Sequence, residues 1–195
     1  MGKKKNNMQI TQKYIPINTL RRSGQKLQVK FLVAHDVGND GSTALQNVDY
    51  YIKSANEDFA SAHTFIDDQN IIECIPQDEK ANHVRRNPTV DNTLFGVEAN
   101  DCSLGVELCY FSKDLQRSKM AYTRYCEYIK ALCQKYQLNP STHVVGHYRL
   151  DPERRVDPLN AFRLIGKNWE DFIKDISSVP KEDIKNQIRR LLELL

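Results

Sequence analysis

The run from Val29 to His35 (VKFLVAH) is the feature that most constrains how this chain can fold. It is rich in β-branched and aromatic residues and lacks the three-to-four spacing of a helix face, so it predicts a buried strand. Gly38, Asn39, Asp40 and Gly41 stop it at once. Ser103 to Tyr110 (SLGVELCY) repeats the pattern and predicts a second buried strand. A strand buried on both faces needs helices above and below, and the intervening residues supply them.

Leu45, Val48, Tyr51 and Ile52 are spaced for one helix face, with Ser42 a suitable N-cap. Tyr122, Tyr125, Ile129, Leu132 and Tyr136 predict a long helix over about residues 118 to 136, with Pro140 closing that segment. Ser61 to Asp67 and Ile71 to Ile75 read as a hairpin turning at Asp68-Gln69-Asn70. His143 to Val145 reads as a short strand, residues 148 to 158 as a charged loop, and Trp169 to Ile176 as a helix. Ile184, Ile188, Leu191 and Leu195 mark a last amphipathic helix after Pro180. Strands interleaved with helices predict an α/β domain with a central mixed sheet flanked by helices, plus a C-terminal helical extension. The expected divisions are an irregular lead-in over residues 1–25, a core domain over 26–165 and the extension over 166–195.

Composition narrows the class. A chain of 195 residues with 40% apolar content can bury one core. The formal net charge is only +3 and its basic residues are dispersed, which argues against a nucleic-acid face. Lys3 to Lys5 form the one basic run and read as a solubilising tail. No apolar run approaches the roughly 18 residues of a membrane span. The charged N-terminus lacks the apolar segment of a secretory signal, so synthesis in the cytoplasm is expected. Five cysteines, an odd number with no C-x-x-C pair, predict buried thiols rather than a disulfide framework or zinc knuckle.

Five histidines are the candidates for chemistry: His35, His63, His83, His143 and His147. His35 and His147 each end a predicted strand, which would set their rings at the rim of the sheet. Asp157 lies ten residues after His147, in a loop able to fold back toward it. Two imidazoles and a carboxylate are a common catalytic zinc set that leaves one position for water. On spacing alone a histidine at a strand end is more often a surface or hydrogen-bonded residue than a ligand, and no H-E-x-x-H motif is present.

Four blocks in order resemble the type 2 N-acetylmuramoyl-L-alanine amidases, the group that includes phage lysozyme-type amidases and peptidoglycan recognition proteins. They are Phe31-Leu32-Val33-Ala34-His35; Ser61 to Asp67 with Ile71 to Pro76; Leu104-Gly105-Val106-Glu107-Leu108; and Val145-Gly146-His147 with Arg155-Val156-Asp157-Pro158. The resemblance covers about residues 10 to 165. It implies His35, His147 and Asp157 as zinc ligands, and hydrolysis of the bond between the muramoyl group and L-alanine of peptidoglycan. It implies Glu107 as general base then acid, and Arg155, where many relatives have lysine, as a cation near the oxyanion. His63 matches a histidine of the family's hairpin that would line the substrate cleft, orient a zinc ligand or serve the fold alone, with Ala62 in place of an aromatic residue found in some members; His83 matches a substrate-cleft histidine, although Asn82 replaces the usual tryptophan. His143 reads as structural. The implied setting is a phage or prophage lysin reaching the cell wall through holin-type release, with self-association through the C-terminal helix as a further expectation. A recognition module without catalysis and a zinc peptidase cutting within the stem are the alternatives.

Overall fold

The computed structural model describes residues 8–86, 95–96 and 98–178. Six strands form one sheet: β1 (Thr11–Gln12), β2 (Phe31–Asp36), β3 (Thr64–Ile66), β4 (Ile71–Glu73), β5 (Ser103–Leu108) and β6 (Val144–Gly146), in the order β1-β4-β3-β5-β2-β6. Only the β3–β4 hairpin is antiparallel; every other neighbour pair is parallel. All six residues of β2 are buried, as a central strand covered on both faces requires.

The α-helices among the described residues are α1 (Ala44–Lys53), α2 (Leu115–Lys135), α3 (Pro140–His143), α4 (His147–Leu150), α5 (Leu159–Leu164) and α6 (Trp169–Ser177). Helix α1 starts one residue later than Ser42 would place it, because Thr43 and Gln46 form a capping box. Alternation along β2 and β5 sorts the core into layers. Leu32, Ala34, Leu104, Val106 and Leu108 face α2, α5 and α6, packing on Tyr125, Ile129, Phe162 and Phe172. On the opposite face Phe31 and Val33 pack with Val84, Ala99 and Val145, while Phe65 and Ile72 lie under Val48 of α1. His35 and Glu107 follow the alternation onto that second face and are register partners.

Several sequence expectations are corrected. The lead-in is not wholly irregular: Thr11–Gln12 pairs in parallel with Ile72 and Glu73 at the sheet edge. His143 is not in a strand; it ends the helical turn that Pro140 opens and Asn139 caps, and β6 starts at Val144. Residues 148 to 158 are not all loop, since His147–Leu150 is a helical turn, and α5 was not foreseen. All five cysteines are buried, as expected, and none is in a disulfide. No described helix is long and apolar enough to cross a membrane. The final helix expected after Pro180, and self-association through it, lie outside the described residues.

Candidate metal centre and active site

Parallel strands β5, β2 and β6 all end at the same edge of the sheet, and the chemistry-bearing residues stand there. His35 and Glu107 are the penultimate residues of β2 and β5, and His147 follows the last residue of β6. Carboxyl ends of parallel strands are where open α/β sheets form their clefts. Here the cleft measures about 320 Å³ and is lined by these three residues together with Asp157, Arg155 and His83.

Asp157 reaches the strand ends because its loop folds back: the Tyr148 amide donates to the Asp157 carbonyl at 3.1 Å. Gly146 keeps this corner tight, since a Cβ there would stand 2.5 Å from the Tyr148 ring. Nδ1 of His35 and Nδ1 of His147 each lie 3.0 Å from the same atom, Oδ2 of Asp157. One donor atom from each residue falls within 4.8 Å of the others. Two borderline nitrogens and one carboxylate oxygen, converging from three chain segments, suit a tetrahedral zinc ion with one position left open. Nε2 of His147 is buried without a hydrogen-bond partner.

Electrostatics favour the same state. Burial lowers His35 to about 4, and the neighbouring His147 adds to this against the pull of Asp157. Burial alone would raise Asp157, but its hydrogen bonds with His147 and His35 outweigh it and hold the carboxyl well below its usual range. The site therefore sets an ionised carboxylate beside a buried His35 imidazole whose charged form is disfavoured, an arrangement that a bound cation would stabilise.

Glu107 faces this cluster from the adjacent strand. Its Oε2 is sealed without a hydrogen-bond partner. Burial, then the negative charges of Asp157 and Asp36, pushes its pKa well above the ordinary value. Arg155 is exposed on the cleft wall and joins no ion pair among the described residues, whereas its neighbour Arg154 is tied to Asp151 through Nε at 2.8 Å.

His83 lines the cleft and contacts His35, with Nδ1 3.0 Å from Nε2 of His35. His63 sits deeper, beneath the cleft floor rather than on its wall: it is 1% exposed. Its Nδ1 accepts from the Gly105 amide at 3.0 Å and its Nε2 donates to the Glu79 carbonyl at 2.9 Å, leaving no ring nitrogen for a substrate. His143 pairs locally with Thr142 on the outside of the domain. Sequence reasoning did not single out Asn47, Tyr51 or Asn160 as cleft residues. Tyr51 was legible only as part of an apolar helix face, and the asparagines carried no pattern.

The family described as N-acetylmuramoyl-L-alanine amidase, Amidase_2, matches residues 25–160. The chain belongs to that family. It is 35% identical to the N-acetylmuramoyl-L-alanine amidase BlyA of Bacillus subtilis (strain 168), over 71% of this chain and 40% of BlyA. A probable N-acetylmuramoyl-L-alanine amidase of Bacillus licheniformis is 29% identical over 80% of this chain and 46% of its own length. The chain thus spans less than half the length of these two relatives. Among solved structures, PlyL superposes with a TM-score of 0.69 at 22% identity, covering 87% of this chain and 98% of PlyL. The catalytic domain of XlyA gives 0.68 at 21% identity, covering 86% and 99%. At these identities the two structures establish the shared fold.

Proposed function

We propose that this domain is a zinc-dependent amidase that cleaves peptidoglycan between N-acetylmuramic acid and L-alanine, acting as a phage or prophage endolysin. The observation that carries the reading is the meeting of His35 Nδ1, His147 Nδ1 and Asp157 Oδ2 at one point, with Glu107 on the adjoining strand. These three residues would hold the ion.

Bound zinc supplies Lewis acidity, which brings the pKa of water down toward neutrality. Glu107 takes the proton of the attacking water at its carboxyl and returns it to the departing amine of L-alanine. A carboxyl whose proton affinity is raised by burial is suited to both halves of that transfer. Arg155 extends a permanent positive charge over the cleft toward the oxygen of the lactyl carbonyl as it gains negative charge. Residues 26–165 would form the catalytic unit, reaching the wall after release through a holin-type opening.

Zinc content and muropeptide cleavage, measured together on wild type and His147→Ala, test this. The expected result is one zinc per chain and stem peptides beginning at L-alanine, both lost in the variant. Zinc without that product would make the protein a different hydrolase. Wall binding with neither zinc nor cleavage would make it a recognition module.

A further inference from the structure

We propose that Arg85 and Arg86 are specificity-determining residues that select stem peptides carrying a free carboxylate on the residue after L-alanine. The inference deepens the amidase reading above and rests on it.

Beyond the histidine cluster the cleft runs into a second cavity of about 460 Å³. Ala60, Asn82, His83, His147, Arg154 and Arg155 line both, so a ligand held at the cluster can continue from one into the other. Four arginines stand on the walls of the second cavity, Arg85, Arg86, Arg154 and Arg155. Among the described residues those walls hold no carboxylate. The chain as a whole has a net charge of only +3, so positive charge is concentrated here.

The charges are only partly answered from behind. Asp151 is fastened to Arg154 through Nε at 2.8 Å, and Arg85 comes no nearer to it than 4.0 Å. Asp101 lies 3.1 Å from Lys80 and 3.7 Å from Arg86. Two carboxylates thus serve four cations, and Arg155 adds a further charge. The Arg85 and Arg86 side chains are half-exposed, which leaves their guanidinium groups open to a ligand.

The backbone that carries them is held firmly. The Asn100 side chain is fully buried and accepts from the backbone amides of His83 and Val84 at 3.0 and 3.1 Å. Its amide group donates back to the Val84 carbonyl at 2.9 Å, closing a clamp just before Arg85. The clamp also fixes the distance to the cluster. His83 touches His35 at 3.0 Å, and two residues of chain put Arg85 at most about 7 Å further along the backbone. In a peptidoglycan stem the residue after L-alanine is a glutamate joined through its side chain, and its α-carboxyl is either free or amidated. That group lies within two residue lengths of the bond that is cut, a reach of the same order.

A free carboxylate offers two acceptor oxygens to the planar fork of an arginine, and the pairing is charge-assisted. A carboxamide is uncharged and turns an NH₂ group toward the same fork, donor against donor. The basic wall therefore separates the two stems by hydrogen-bond polarity and by charge.

The test compares N-acetylmuramoyl-L-alanyl-D-glutamate with its D-isoglutamine counterpart, using the zinc-loaded full chain and steady-state kinetics. Wild type should favour the free acid by about 10-fold in kcat/KM, carried by KM, and the preference should shrink as salt is raised. Arg85→Gln and Arg86→Gln should each reduce the preference, and the double variant should abolish it while cutting the isoglutamine form as wild type does. A wild type that treats both substrates alike, or a preference that survives in the double variant, would overturn the proposal. So would a double variant that loses only its activity on whole cell walls, which would assign the arginines to a phosphate-bearing wall polymer. If neither muropeptide is cut, the amidase reading fails, and calorimetry with the same two compounds decides the groove by itself. Tighter binding of the free acid to wild type but not to the double variant would then sustain it, and equal binding would sink it.

Discussion

The proton-transfer role proposed for Glu107 rests on the surroundings of a single carboxyl. Its Oε2 is cut off from both solvent and hydrogen-bond donors, and two neighbouring acids oppose its ionisation. Glu107→Gln keeps the shape and removes the proton exchange, so kcat should fall by about 10²–10⁴-fold while zinc content stays at wild-type level. Loss of zinc in that variant would instead make the residue part of the metal site. Arg155→Ala should reduce kcat by an amount equivalent to about 2.7–4 kcal/mol with a small change in KM, as steady-state kinetics on a muropeptide would show. An effect confined to KM would assign Arg155 to ground-state binding. Protonation is a third matter at this scale. Burial lowers His63 to about 4, against about 6.5 in an unfolded chain. The folded state therefore takes up this proton less readily than the unfolded one, so the stabilisation is complete above about pH 6.5 and is lost as pH falls toward 4. Urea midpoints of the metal-free protein should decline across that window, and the decline should be shallower in His63→Gln.

Two elements hold the cleft walls in place. Helix α1 brings Asn47 and Tyr51 to the cleft, and its first turn is closed by the Thr43–Gln46 capping box. Thr43→Ala should cost about 0.5–2 kcal/mol in urea unfolding. On the other side α5 is pinned to β2, because the Ala161 amide donates to Asp36 Oδ2 at 3.0 Å. Asp36 directly follows His35, so the same strand end carries a residue of the proposed metal site and a helix anchor. Strand and helix identities were largely legible in advance: β2, β5, α1, α2 and α6 follow from apolar runs and helical spacing. The short elements were not. β1, α4 and α5 are two, four and six residues long, too short for a period to register, and tertiary contacts stabilise them.

Across the whole molecule, the lead-in is bound into the domain by charge. Arg21 is 1% exposed and donates to the Ser54 carbonyl at 3.1 Å and to the Ala60 carbonyl. Arg22 grips Glu79 with two hydrogen bonds, at 2.8 and 3.0 Å. Arg21→Ala should therefore destabilise the fold by on the order of 3 kcal/mol, read as a lower urea midpoint, although Arg21 precedes the family-matched segment. A midpoint equal to wild type would mean that the lead-in is dispensable. The residues alone were enough to define an α/β chain, its buried strands and the identity of His35, Glu107, His147 and Asp157 as candidates, because burial patterns and motif blocks are local properties of the chain. The convergence of three donor atoms on one point was decided by tertiary structure, since it depends on two parallel strands ending together and on a loop folding back. So were the places of His63 and His83. Both read as cleft histidines in one dimension, but the backbone groups around Gly105 and Glu79 take up one ring completely and leave the other against His35. Which nitrogen of a histidine is free depends on the partners that the fold brings to it, and those partners lie far away in the sequence.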